Sequence, residues 1–128
     1  MKHIILLACF ALSLSLMSFS PTISGDEVVN ALKKADPAEF SSYFDDAIDL
    51  TLPGKPEIKA ISKAQASATI KGFFEKNNVS GFQLISQRQM GGTMYVAGKL
   101  TANGTGYNIT VMMKDKDSKP SVVTVRIN

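Results

Sequence analysis

Three aspartates, Asp45, Asp46 and Asp49, form the densest group of carboxylates in the chain, and Tyr43 precedes them by two residues. A carboxylate at the mouth of an apolar cavity can have a raised pKa and act as a general base. A phenol hydroxyl can donate a hydrogen bond to a developing oxyanion. One hypothesis is therefore a small lyase or isomerase in which Asp46 or Asp49 is the base and Tyr43 is the hydrogen-bond donor.

The same residues also have a simpler structural interpretation. Asp45 and Asp46 stand between a predicted helix and a predicted strand, where aspartate favours turns because its side chain bonds to nearby backbone groups. Asp49 falls on the polar face of that strand. We favour these roles, assign no catalytic residue, and keep Tyr43, Asp46 and Asp49 as candidate ligand-binding residues. The spacing of a calcium-binding loop is absent, so we predict no metal site.

Tyrosines and methionines later in the chain could also contact a ligand, the former through their hydroxyls and the latter as an adaptable apolar wall. Packing in the core is the simpler explanation for both types of residue. These residues are Tyr95, Tyr107, Met90, Met94, Met112 and Met113.

The N-terminal segment has the pattern of a secretory signal peptide, with Lys2 followed by an apolar run over Ile4–Met17 and then by small and polar residues. The apolar run is shorter than the roughly 20 residues that a membrane-spanning helix needs, which disfavours a retained anchor. We predict a signal peptide over residues 1–22. The mature protein is then extracytoplasmic, either periplasmic or secreted, and has no membrane span.

Removal of this segment would limit the available chemistry, because it carries the one histidine, His3, and the one cysteine, Cys9. A mature chain could then form no disulfide, thiolate nucleophile, Cys/His zinc site or Ser-His-Asp triad. We predict no cofactor. Loss of Lys2 would reduce the formal charge from +3 to +2. Such a small and scattered charge does not indicate nucleic acid as a partner.

Helices dominate the first half of the predicted mature chain. The spacing Ser24-x-x-Glu27 predicts a capped helix start, and Asp36-Pro37 both ends that helix and begins a second, short one carrying Phe40 and Phe44. A third helix is predicted over 62–77. The apolar stripe of the first helix is Val28, Ala31, Leu32 and Ala35, and that of the third is Ala66, Ile70, Phe73 and Phe74.

Strands dominate the second half. An alternating apolar pattern predicts one strand over 48–52, ended by Pro53-Gly54, after which residues 55–61 are predicted to be a loop. After the third helix, four strands separated by Gly91-Gly92, Asn103-Gly104 and the charged loop Lys114–Lys119 predict an antiparallel meander. Two glycines lie inside elements: Gly72 predicts a close approach of the third helix to the sheet, and Gly98 a bulge or bend.

This order of elements predicts a single α+β domain over residues 23–128. Amphipathic helices must cover one face of the amphipathic sheet. A twisted sheet that contains bulges curls around such helices, so we expect a curved antiparallel sheet wrapped around the N-terminal helices to form a cone with a cavity.

Three motifs support this fold through a resemblance to a known family. They are Y-F-D-D-A-I-D-L-T-L-P-G-K at 43–55, S-K-A-Q at 62–65 and F-F at 73–74. In these motifs and in its order of elements, the predicted mature chain resembles domain-of-unknown-function family 4783. This family of small secreted bacterial proteins belongs to the nuclear transport factor 2-like (cystatin-like cone) superfamily. The resemblance implies the cone fold but no activity, because the superfamily contains isomerases and dehydratases as well as non-catalytic binding modules.

The favoured function is therefore a non-catalytic binding module for a small apolar molecule or a partner protein, with the lyase or isomerase as the alternative. The last two strands have apolar residues at successive positions, which suggests that a homodimer or a protein partner covers the outer sheet face. Isolated exposed valines on an edge strand would explain the same pattern. The residues concerned are Met112, Met113, Val122, Val123, Val125 and Ile127.

The signal-peptide prediction can be tested by mass spectrometry of the protein purified from its native host. We expect the N-terminus of the soluble protein to lie beyond residue 17, because the apolar run is removed with the signal. An intact Met1 on soluble cytoplasmic protein would contradict it.

Overall fold

A computed structural model of the protein describes residues 25–128. The predicted signal peptide, including His3 and Cys9, lies outside the described residues, as does Ser24. Among the described helices, none combines the length and apolar character needed to cross a membrane. The helices are α1 (Asp26–Lys33), α2 (Pro37–Ser42) and α3 (Lys63–Lys76), and the strands are β1 (Phe44–Thr51), β2 (Ile58–Ser62), β3 (Val79–Met90), β4 (Thr93–Ala102), β5 (Thr105–Lys116) and β6 (Lys119–Ile127).

The six strands form one curved, unclosed sheet in the order β2-β1-β6-β5-β4-β3. The predicted α+β fold and the meander from β3 to β6 are confirmed. Two details differ from the sequence-based expectation. Part of the predicted loop 55–61 is strand β2, which pairs antiparallel with β1, and β1 pairs parallel with β6. The sheet is therefore mixed: β1 runs parallel to β6, and the other neighbouring strands are antiparallel.

The Asp36-Pro37 dipeptide ends one helix and begins the next, as predicted. After α1, Ala35 adopts a φ of 53°. The amide of Ala35 donates to the carbonyl of Leu32 and that of Asp36 to the carbonyl of Ala31, at 2.9 and 3.3 Å. These two bonds satisfy the last carbonyls of the helix. The Asp36 carboxylate then caps α2 by accepting from the amides at positions 38 and 39.

The predicted acidic turn after α2 is wrong. Asp45 and Asp46 lie within β1, and Phe44 is the first residue of that strand. The reason is a long-range hydrogen bond, in which the amide of Val122 donates to the carbonyl of Tyr43 at 2.8 Å. Pairing with β6 therefore begins directly at the end of α2, and no turn is needed.

The core lies between the three helices and the inner face of the sheet. Ser62 caps α3 by accepting from the amide of Gln65, as predicted. On α3, Ala66, Ile70 and Phe74 are buried whereas Phe73 is half-buried. An aromatic cluster joins the elements: the ring of Phe40 meets Phe44 edge-on at 5.1 Å and stacks on Phe74 at 6.5 Å.

A bulge explains the successive apolar residues of β6. Val122 pairs with Met113 and Thr124 pairs with Met112, so Val123 is the extra residue of the bulge. The buried residues of the two strands, Val122, Val125, Ile127 and Met113, belong to the inner core. Arg126 is exposed, as expected for the other face. The bulge therefore accounts for the successive valines of β6, whereas on β5 the half-buried Met112 lies on the face opposite the buried Met113.

Two turns of the meander have the backbone conformations that their residue types predict. Gly91, Asn103 and Gly104 have positive φ, as the predicted hairpin turns require. The predicted charged loop Lys114–Lys119 is wrong, because β5 and β6 extend through it and leave only a two-residue turn at Asp117-Ser118. The predicted bulge at Gly98 lies instead in the neighbouring strand: Leu84 pairs with Gly98 and Ser86 with Ala97, so Ile85 of β3 is the extra residue. At Gly98 itself, an added Cβ would overlap the Gln83 carbonyl.

An ion pair connects β1 to the end of β5. The Lys116 ammonium lies 2.9 Å from Oδ1 of Asp45 and 3.9 Å from Oδ2 of Asp46. The hydrogen bond from Lys116 is the largest cause that lowers the pKa of the Asp45 carboxyl below its ordinary value, and the amide of Asp46 also contributes. The ionised form of Asp45 is therefore the one that the fold favours.

The core assignment predicts unequal effects of shortening the two adjacent phenylalanines of α3. Phe74→Ala should lower the free energy of unfolding by about 3–5 kcal/mol because it empties a buried aromatic site. Phe73→Ala should cost less, about 1–2 kcal/mol, because its ring is partly exposed already. Urea unfolding measures both, with the exposed Lys71→Ala as the control. A loss below about 1 kcal/mol for Phe74→Ala would show that this ring is not part of the core.

The Asp45–Lys116 pair predicts a pH dependence of stability. The pKa of Asp45 is lower in the folded protein than its ordinary value of 3.8. The ion pair therefore contributes fully to stability above that ordinary value, and its contribution is lost as the pH falls through the folded-state pKa. The stability difference between wild type and Asp45→Asn should therefore shrink between roughly pH 5 and pH 2 in urea unfolding series. Asp115→Asn, in the same hairpin, is the control. The same pH dependence of stability in Asp45→Asn and Asp115→Asn would show that the ion pair does not stabilise the fold.

Candidate functional site

Two clefts on the described part of the chain are large enough to consider as binding sites. The first, here called the polar cleft, has a volume of about 480 Å³ and contains Tyr43, Asp45 and Asp46 in its wall. Three lysines and four acidic residues line it, so charges of both signs are close together. The structure thus brings two of the predicted ligand-binding residues, Tyr43 and Asp46, to one place. Asp49 is not part of this cleft.

The hydroxyl of Tyr43 already has a partner in the polar cleft. Burial is the largest cause that raises the pKa of Tyr43, and the carboxylates of Glu27 and Glu39 raise it further. The side chain of Tyr43 also hydrogen-bonds to Glu27, a residue of α1. Because a phenol beside a carboxylate donates its hydrogen bond to that carboxylate, this hydroxyl is not free to donate to an oxyanion.

Neither candidate base lies in an apolar cavity. The side chain of Asp46 is 97% exposed. Asp49 accepts a hydrogen bond at 2.9 Å from the amide of Ala60, which has a φ of 52° and lies where the pairing of β1 with β2 shifts register. Asp49 therefore accepts a hydrogen bond from a backbone amide at a position where the ladder between β1 and β2 is interrupted. The catalytic hypothesis requires a carboxylate in a water-excluding site, and neither position provides one.

Carboxylates also do not cluster as metal ligands. Within residues 25–128, no three acidic, histidine or cysteine side chains come together in a group that could hold a metal ion.

The second cleft, here called the apolar cleft, has a volume of about 350 Å³ and lies where α3 meets the end of β1 and the start of β5. Its lining includes Leu52 and Pro53 as well as the rings of Phe73 and Tyr107. The two rings meet edge-on with their centroids 5.3 Å apart. Such a contact holds both rings in place, so the aromatic wall is formed before any ligand arrives.

Hydrogen bonds hold the polar side chains of the apolar cleft in fixed positions. The Tyr107 hydroxyl donates to Oδ1 of Asn77 at 3.3 Å, and Nδ2 of Asn77 donates to the carbonyl of Phe73 at 2.9 Å. The Thr69 hydroxyl donates to the carbonyl of Gln65 at 2.8 Å. Each uncharged polar side chain of this lining therefore already makes a hydrogen bond within the protein.

Gly72 lines the apolar cleft and adds no side chain to it. A Cβ built on this residue would meet no atom within 4 Å, so the predicted close approach to the sheet at Gly72 is wrong. The glycine lies on the side of α3 that lines the cleft, next to Phe73. A larger side chain at this position would occupy the space that a ligand would use.

The charged residues of the apolar cleft are all positive. Its lining contains Lys55 and Lys76 and no acidic residue. Within residues 25–128, neither ammonium group has an ion pair or a side-chain hydrogen bond. In the polar cleft, by contrast, Lys116 binds Asp45 and the Lys63 ammonium donates to the carbonyl of Ser42.

The sequence pattern did not indicate this cleft as a candidate site. It placed Phe73 in the core with Phe74, although adjacent helical residues lie about 100° apart around the axis and cannot share one face. The sequence did contain one indication of the cleft: Phe73 lies off the buried stripe of α3 and follows Gly72. The contribution of Tyr107 depends on the register of β5 and could not be inferred from its position in the chain.

Comparisons with known proteins agree on the fold. The crystal structure of a DUF4783 family protein from Bacteroides ovatus is 26% identical in sequence, with a TM-score of 0.73 over 84% of this chain and 96% of that one. An NTF2-like protein of unknown function from Cytophaga hutchinsonii is 9% identical, with a TM-score of 0.57 over 88% and 93% of the two chains. A de novo designed protein with a curved β-sheet is 13% identical, with a TM-score of 0.66 over 80% and 93%.

Among curated proteins there is no match to the chain. A family model matches residues 25–128, which is the whole of the described domain, and the family is described as a domain of unknown function. The predicted resemblance is thereby confirmed: the chain belongs to the DUF4783 family and has the NTF2-like fold.

Proposed function

We propose that the protein is a non-catalytic binding module that holds a small apolar molecule in the apolar cleft. The observation that supports this most is the open volume next to Gly72, beside rings that are already held in place. Its size of about 350 Å³ falls within the range of small-molecule sites, which begins near 300 Å³. Binding there requires little rearrangement of the protein, which favours affinity.

The lyase or isomerase alternative has less support. It depends on Asp46 or Asp49 as a base and on Tyr43 as a donor. Asp46 is exposed, Asp49 binds a backbone amide, and the Tyr43 hydroxyl is bound to Glu27. The apolar cleft, which has the shape for a substrate, has no carboxylate in its lining.

The proposal places this activity outside the cytoplasm. The support is the signal-peptide pattern of residues 1–22, which leads directly into the domain that begins at α1. An extracytoplasmic binding module would meet free small molecules in that compartment.

A protein partner or a second copy of the chain is the second candidate, and the edge of the sheet now favours it more than the outer face of β6. Strand β3 ends the sheet, so its outer backbone edge has no neighbouring strand among the described residues. Ile85 is 65% exposed and Met90 is 59% exposed on this strand. Arg88 is the one charge between positions 83 and 90, which leaves little to oppose pairing with another strand.

Native mass spectrometry of protein purified from its host addresses both candidates in one spectrum. A bound small molecule adds its own mass to the monomer, whereas self-association gives twice the monomer mass.

The apolar cleft predicts that Gly72→Leu blocks ligand binding without unfolding the protein. Titration of 1-octanol into ¹⁵N-labelled protein should shift the amide signals of Gly72, Phe73 and Asn77 in a saturable manner. In Gly72→Leu these shifts should be lost, because the leucine side chain fills the open volume. Lys71→Leu is the matched control, since it adds a leucine to an exposed position outside the cleft. Equal binding by both variants would contradict the proposal.

A further inference from the structure

We infer that the ligand of the apolar cleft is an anionic amphiphile, with an apolar body and one acidic head group, of the kind represented by a medium-chain carboxylate. This inference rests on the proposed function and adds the chemical class of the ligand. It is carried by the charges and the hydrogen bonds of the cleft lining.

Among the described residues, the two lysines of the apolar cleft have no counterion, and no carboxylate lies in the lining beside them. Lys34 binds Glu39 at 3.3 Å, and Lys116 binds Asp45 at 2.9 Å. Lys55 and Lys76 have no such partner within the described residues, and the cleft between them contains no carboxylate. The cleft therefore has a local charge of one sign, which an anionic ligand would complement.

The other polar side chains of the lining are uncharged. The hydroxyls of Thr69 and Tyr107 and the amide of Asn77 each make a hydrogen bond within the protein. Their remaining capacity, the hydroxyl lone pairs and the second N–H of Asn77, gives neutral hydrogen bonds only. A carboxylate would instead accept hydrogen bonds from ammonium groups that are free to turn towards it, and such charge-assisted bonds are stronger than neutral ones.

The apolar body of the ligand would lie against Leu52, Pro53 and the ring of Phe73. Lysine side chains can place their methylene groups along an apolar surface while keeping the ammonium group in water. The lining thus combines an apolar wall with charges at the positions of its two lysines. This arrangement suits a ligand that has its charge at one end.

The preference for an anion should be modest and dependent on salt, because exposed ion pairs are individually weak and are screened by added ions. We expect octanoate to bind about 3- to 10-fold more tightly than 1-octanol at low ionic strength. Octylammonium, which has the same chain and the opposite charge, should bind most weakly. The difference between octanoate and octanol should decrease as sodium chloride is added.

The test is a set of parallel titrations of these three probes into ¹⁵N-labelled protein at neutral pH, monitored by the amide signals of the cleft. In the double variant Lys55→Gln/Lys76→Gln, octanoate should bind no more tightly than octanol. The control, Lys59→Gln/Lys71→Gln, removes the same total charge from exposed positions outside the cleft and should keep the preference. Circular dichroism confirms that both double variants are folded.

The outcomes separate the inference from the proposed function. Equal affinity of octanol and octanoate for the wild-type protein overturns the inference and leaves the binding function in place. A preference that survives in Lys55→Gln/Lys76→Gln, or that disappears equally in the control, also overturns it, because the effect would then come from overall charge. If no probe shifts the cleft signals, both the inference and the proposed function are wrong.

Discussion

The aromatic contact between α2, β1 and α3 is the interaction on which the rest of the structure depends. Phe40 comes from α2, Phe44 from β1 and Phe74 from α3, and their rings join the helices to the sheet. The same contact fixes the rotation of α3 about its axis. With Phe74 directed into the core, Phe73 must point about 100° away, towards Tyr107 of β5. The apolar cleft is thus a geometric consequence of how the core is packed.

The local features of the fold could be predicted because they depend on neighbouring residues. The cap at Asp36, the cap at Ser62 and the hairpin turn at Asn103-Gly104 all follow from short spacings and from the backbone preferences of a few residue types. Strand β2 and the acidic segment were mispredicted because they depend on distant partners. β2 gains its structure from pairing with β1, and β1 begins at Phe44 because Tyr43 accepts a hydrogen bond from the amide of Val122.

The candidate site was less predictable than the fold. Tyr43, Asp46 and Asp49 were candidates because their residue types can do chemistry. In the structure, Tyr43 and Asp49 make hydrogen bonds within the protein, and the side chain of Asp46 is exposed to solvent. The residues of the apolar cleft are of ordinary types, and they become a site only through the absence of a side chain at Gly72 and the register of β5. Sequence patterns report which residues are apolar, but not the volume that remains unfilled between them.

The most direct measurement of the central claim is the location of a bound probe by intermolecular nuclear Overhauser effects. The probe is octanoate, added to uniformly ¹³C-labelled protein. The account predicts contacts from the alkyl chain to the ring protons of Phe73 and Tyr107 and to Leu52, with none to Tyr43 in the polar cleft. Contacts to Tyr43 or to the exposed β3 side chain of Ile85, without contacts to Phe73, would contradict the account.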